Sequence, residues 1–169
     1  MPGKQAMGWG QQDAEGRRRV KILILHGPNL NLLGSRETDI YGSKTLSEIN
    51  EAVRRRAEVL GVDIEETYQT NSESDLVERI QAARDKIDGI VINPAAYTHT
   101  SIALRDALLA TEIPFVEVHL SNIQGREPFR QRSYLSDIAV GLVAGFGPES
   151  YLLALEGLVT RLKGEGRPG

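Results

Sequence analysis

Three histidines, His26, His99 and His119, each fall at or just past the C-terminal end of a predicted strand. An imidazole titrates near neutrality and can give or take a proton there. Glu117 stands two residues before His119, the strand spacing that puts both side chains on one face. A carboxylate in that position holds the ring's tautomer and raises its basicity. Such a pair on the covered face of a sheet is expensive if it serves structure alone. Asn29 follows Pro28 and Asn93 precedes Pro94, so each amide leaves a backbone that proline restrains. Arg36, Arg126 and Arg130 lie in loops at the same edge, and loop cations suit an anionic, hydroxyl-bearing ligand. Gly34 and Gly42 bracket Arg36 and Tyr41 as hinges would bracket a lid. The competing reading for each histidine is a satisfied core or turn residue, and for each asparagine ordinary turn chemistry. His26, His99, His119 and Glu117 could also be taken as a metal set, but their spacing matches no standard ligand motif.

The elements that must position these groups alternate. Lys21 to Leu25 (KILIL) is a short apolar run ending at Gly27-Pro28, which reads as a strand buried on both faces. Leu46, Ile49, Val53 and Leu60 make a helical stripe, opened by capping-box spacing from Thr45 to Glu48 and stopped at Gly61. Val62 to Tyr68 is a more polar strand, placed at or near an edge. Leu76, Ile80, Ala83 and Ile87 line the next helix. Gly89 to Ile92 is strand three, Ser101 to Ala110 a helix, Phe115 to Leu120 strand four, Ile138 to Phe146 strand five, and Glu149 to Lys163 the closing helix. Repetition of this kind implies an α/β fold, a flavodoxin-like, doubly wound, five-stranded parallel sheet of order 2-1-3-4-5. In such a sheet ligands bind beyond the C-terminal strand ends, where the histidines collect. Ser121 to Asp137 has no amphipathic period, and an ordered loop of that length is usually functional.

The composition narrows the classes. The chain has 169 residues and net charge −3, and it contains no cysteine. Disulfides, thiolate metal sites and cysteine nucleophiles are therefore excluded. Mildly acidic, scattered charge leaves no footprint for nucleic acid, and no apolar run reaches the ~20 residues of a membrane span. The cytoplasm is the default compartment. Residues 1–19 are read as a disordered tail, 20–163 as a single catalytic α/β domain, and 164–169 as a flexible fringe. His26 to Gly34 follows a strand as a phosphate loop would, but it lacks the required lysine, and no serine sits in a nucleophile elbow.

Four long segments carry a family resemblance: HGPNLNLLGSRETDIYG (26–42), YQTNSESDLVERI (68–80), INPAAYTHTSIALRDAL (92–108) and PFVEVHLSNIQGREPFRQRSYLSD (114–137). They resemble type II 3-dehydroquinate dehydratase, in the same order and nearly uninterrupted register from about Lys21 to Leu158. The resemblance implies a hydro-lyase of the shikimate route or of quinate breakdown, turning 3-dehydroquinate into 3-dehydroshikimate. It implies no cofactor and no metal, and assembly as a dodecamer of trimers. On it, Tyr41 is the general base, His119 the general acid, and Arg36 the lid arginine that activates the tyrosine. Asn29 holds a water against the enolate oxygen, and Glu117 orients His119. Asn93, His99, Ser121, Arg130 and the backbone at Leu120 contact substrate, while Asp106 reaches a neighbouring subunit's site. Ala95-Ala96 stands where the family frequently has a glycine.

The chemistry is physically demanding. A free phenol has a pKa of about 10, and bringing it near neutrality takes roughly 4 kcal/mol. One guanidinium at about 4 Å offers on the order of 4 kcal/mol at an effective dielectric of about 20, before desolvation subtracts. Arg36 and Arg130 together give a margin. Two other classes fit the scaffold: a nucleotide- or flavin-binding module without lyase activity, and an oligomer that kept the fold without catalysis. The first lacks the Ser/Thr-rich phosphate cradle in its strand-one loop, and the second is at odds with the intact set Tyr41, His119, Arg36 and Arg130.

Overall fold

The computed structural model describes residues 11–35 and 38–164, with backbone alone at Thr38 and Tyr41. Five parallel strands, β1 (Lys21–His26), β2 (Asp63–Gln69), β3 (Gly89–Asn93), β4 (Phe115–His119) and β5 (Gly141–Ala144), form one sheet of order β2-β1-β3-β4-β5. The helices are α1 (Thr38–Tyr41), α2 (Leu46–Leu60), α3 (Glu73–Ala83), α4 (Ile102–Thr111) and α5 (Glu149–Leu162). The doubly wound α/β architecture expected from periodicity is the one observed.

Strand parity divides the core. Ile22, Ile24, Val91, Val116 and Val118 pack beneath α2 and α5, while Leu23, Leu25, Ile90, Ile92 and Phe115 pack beneath α3 and α4. Each such side chain, fully buried, contributes about 2 kcal/mol. Local chemistry sets the helix ends. Thr45 and Glu48 form the anticipated capping box, with the Thr45 side chain accepting from the Glu48 N–H at 3.2 Å and Glu48 Oε2 accepting from the Thr45 N–H at 2.8 Å. Gly61 ends α2 at φ 70°, a left-handed conformation that a side chain would strain. Ser72 and Ser101 cap α3 and α4 through their hydroxyls.

Two expectations change. Strand five is four residues long, not nine. The Ile138 and Ala139 N–H groups both turn back to the Leu135 carbonyl, and their side chains pack on the α3/α4 core, so pairing starts only at Val140. The glycines that loosen this segment also end it, with Gly145 at φ 96°. The second change is at the N-terminus. Residues 11–19, expected as disordered tail, double back through an antiparallel bridge between Gln12 and Arg18. Arg18 pairs with Asp88 at 2.6 Å and Arg19 with Asp63 at 3.0 Å, fastening the segment below the N-terminal ends of β2 and β3. Residues 1–10 and 165–169 of the expected tail and fringe lie outside the described residues.

Candidate active site

A cleft opens beyond the C-terminal ends of β1, β3 and β4, beside the strand at which the sheet order reverses. Pro28, Asn29, Leu30 and Leu33 line one wall, Asn93, Ala95, Ala96 and His99 the floor, and His119, Leu120, Ser121, Ile123, Arg126 and Arg130 the other wall. Asn29, Asn93, His99, His119, Leu120, Ser121 and Arg130, separated by up to 101 positions, thus line one cleft.

Backbone geometry aims the two asparagines. Asn29 takes a left-handed conformation at φ 67°, tolerable for its short polar side chain, and its N–H donates to Asn71 Oδ1 at 2.9 Å. Asn93 is buried, with its Oδ1 accepting the Ala95 N–H at 3.1 Å and its side chain also bonded to the Tyr151 hydroxyl. Ala95 itself sits at φ 51°, which costs about 1–2 kcal/mol for a residue with a Cβ and explains why a glycine suits this position. Gly27 is needed for a different reason. A Cβ there would press on the Pro94 carbonyl, with its carbon only 2.6 Å away.

The titratable centre lies at the end of β4. Glu117 is completely buried, and its Oε1 accepts from His119 Nε2 at 2.9 Å, from the Thr98 hydroxyl at 3.0 Å and from the Ser133 hydroxyl at 2.7 Å. A carboxylate can only accept, so Nε2 carries the proton and Nδ1 is the ring nitrogen left for a ligand. The sheet's two-residue period thus does what the sequence spacing implied. His99 lies against His119 with ring centroids 6.5 Å apart, and its Nδ1 donates to the Arg132 carbonyl at 2.7 Å. In neutral form His99 therefore offers an acceptor nitrogen to the cleft, complementary to a hydroxyl.

The loop from Ser121 to Asp137 supplies the positive charge. Two short 3-10 turns, Ile123–Gly125 and Pro128–Arg130, shape it. Arg126 faces Ser121 Oγ at 3.4 Å, and Glu127 sits between the two guanidinium groups, 3.5 Å from Arg126 Nε and 2.8 Å from Arg130 Nη1. Its own backbone N–H and Arg130 hold the Glu127 carboxyl below the usual carboxylate range. The glutamate restrains both arginines without filling the cleft.

His26 does not join the others. It lies on the α2/α5 face, wholly buried, where the Tyr151 hydroxyl donates to Nδ1 at 2.7 Å and Nε2 donates to Asn50 Oδ1 at 2.8 Å. Burial pulls its pKa down to about 4, against the opposing effect of Asn50. The three histidines consequently do not converge. Asp106 is exposed on α4, outside this chain's own cleft. Arg36 lies outside the described residues, and Tyr41 is described only as the last backbone position of α1. Thr98 and Ser133 were missing from the expected site set, and Arg126 was anticipated there only as a loop cation. Arg126 shared its loop and charge with Arg130, but hydroxyl residues in turns carry no signal that singles them out.

The family description Dehydroquinase class II matches residues 20–159. The chain belongs to this family. It is similar to the 3-dehydroquinate dehydratase of Geotalea daltonii, 58% identical over 144 residues that cover 85% of this chain and 99% of that one. A Pseudomonas aeruginosa relative, 3-dehydroquinate dehydratase 1, is 57% identical, covering 84% and 97%. Among solved structures, type II dehydroquinase from Butyrivibrio crossotus superposes with a TM-score of 0.80 at 40% identity, covering 83% of this chain and 97% of that one. The class II dehydroquinase segment thus takes in every strand, the cleft and the Glu117–His119 pair, and begins one residue before β1.

Proposed function

We propose that the cleft dehydrates 3-dehydroquinate to 3-dehydroshikimate through an enolate. Tyr41 removes the proton from the carbon next to the ketone, and the C–H electrons move into the enolate. As the enolate collapses, the bond to the β-hydroxyl breaks and the imidazolium form of His119, protonated on both ring nitrogens, gives its Nδ1 proton to the departing oxygen, releasing water. Arg36 and Arg130 favour the phenolate form of Tyr41, and Asn29 with a water stabilises the enolate oxygen. Asn93, His99, Ser121 and the Leu120 backbone orient the ring hydroxyls, and Arg126 and Arg130 meet the substrate carboxylate. We place the enzyme in the cytoplasm as a dodecamer of trimers, with the exposed Asp106 reaching a neighbour's cleft.

The observation that carries this reading is the buried carboxylate–imidazole pair, 2.9 Å apart, presenting one ring nitrogen to a cleft lined with hydroxyl-binding groups and two arginines. Dehydroshikimate absorbs in the ultraviolet because its double bond is conjugated, so turnover is followed directly. Wild type converts 3-dehydroquinate, and Tyr41→Phe loses nearly all turnover while binding substrate within several-fold. Near wild-type turnover in that variant overturns the base assignment; a purified protein carrying a flavin or nucleotide chromophore favours the binding-module reading instead.

A further inference from the structure

Glu117 Oε1 is crowded, while Oε2 has no hydrogen-bond partner among the described residues. The direction of each bond to Oε1 is determined. Ser133 Oγ already accepts the N–H groups of Leu135 at 3.0 Å and Ser136 at 3.1 Å, so its lone pairs are occupied and its proton points to the carboxylate. The Thr98 hydroxyl lies 3.0 Å from Oε1 and 3.5 Å from His119 Nε2. Because Nε2 is itself a donor, the Thr98 proton also goes to the carboxylate. Two hydroxyls therefore pin one oxygen of a wholly buried carboxylate on the Nε2 side of the ring.

These hydroxyls come from the two segments that build the cleft. Thr98 precedes His99 on the floor, and Ser133 closes the loop that carries Arg126 and Arg130. The segments are stitched twice more, by the Tyr134 N–H to the Thr98 carbonyl at 2.9 Å and by His99 Nδ1–H to the Arg132 carbonyl at 2.7 Å. Each stitch lies within two residues of a hydroxyl that holds Glu117.

We infer that Thr98 and Ser133 are positioning residues. They hold Glu117 so that His119 keeps its proton on Nε2 when neutral and turns Nδ1 to the substrate, and they tie the arginine loop to that same carboxylate. This rests on the assignment of His119 as the proton donor. Without the hydroxyls, Glu117 is free to rotate toward its unpartnered oxygen and the ring is free to change tautomer.

Tautomer and turnover are read separately. With three histidines in the chain, 15N magic-angle-spinning spectra of histidine-labelled protein above neutral pH distinguish each ring. In wild type, His119 and His26 show the Nε2–H form and His99 the Nδ1–H form. In Ser133→Ala combined with Thr98→Val, a second tautomer of His119 appears while His26 is unchanged, kcat falls about 100-fold, and KM stays within about threefold. Thr98→Ser keeps the hydroxyl and retains kcat within about threefold, which separates the hydroxyl's role from that of the threonine methyl. An unchanged His119 tautomer together with unchanged kcat in the double variant overturns the inference. A changed tautomer with full turnover supports the positioning role and removes His119 from the chemistry, so the two claims fail in different ways.

Discussion

Acid should destabilise this fold through a histidine that takes no part in the proposed reaction. His26 is sealed between α2 and α5, one ring nitrogen accepting from Tyr151 and the other donating to Asn50. Its ordinary pKa of 6.5 is lowered to about 4, chiefly because burial disfavours the imidazolium. Between those values the unfolded chain binds a proton that the native chain refuses, so stability rises with pH across that window. The penalty is absent well above pH 6.5, grows as pH falls, and is complete below about pH 4, where it reaches about 3 kcal/mol. At about pH 5 it amounts to about 2 kcal/mol. Urea unfolding of wild type and His26→Gln, at near-neutral pH and at about pH 5 and one fixed protein concentration, measures it. Glutamine does not titrate. The variant is less stable at neutral pH because a packed ring is lost, but between the two pH values it loses about 2 kcal/mol less than wild type. Other groups titrate in both proteins and cancel in the comparison. Equal losses in the two proteins would refute the reasoning, because they would mean that His26 titrates alike in the folded and unfolded chains.

Two further substitutions probe the cleft. Gly27→Ala forces its Cβ against the Pro94 carbonyl and within 3.2 Å of the Asn93 oxygen, both backbone, so the chain at the cleft floor must shift. It should cost about 1–3 kcal/mol in urea unfolding and raise KM, and an unchanged KM would show that the floor does not position substrate. Arg130→Gln removes a half-exposed partner of Glu127, so stability should change by less than about 1 kcal/mol. Steady-state kinetics should nevertheless show kcat/KM reduced at least about tenfold, equivalent to about 1.4 kcal/mol of transition-state stabilisation.

Much of the architecture was legible because its causes are local. The KILIL run, the GIVI run and the FVEVHL alternation each record which faces of a strand are covered, and the observed parity agrees with them. The capping box at Thr45 and the stop at Gly61 depend on neighbours within one helical turn, so spacing alone suffices to find them. The pairing of Glu117 with His119 is legible for the same reason, since a strand repeats every two residues. Strand five is shorter than its apolar run because Ile138 and Ala139 are apolar for a reason that strand propensity does not express: they lie half-buried in a turn against the α3/α4 core.

His26 and His119 look alike in the chain, each closing an apolar strand beside polar residues. What separates them is contact with distant segments: Tyr151, 125 positions away, seals the first into the core, while Thr98 and Ser133, 19 and 16 positions from Glu117, build the support behind the second. Periodicity records the face a residue points to, and the element that later packs on that face decides whether its proton is locked away or offered to a ligand.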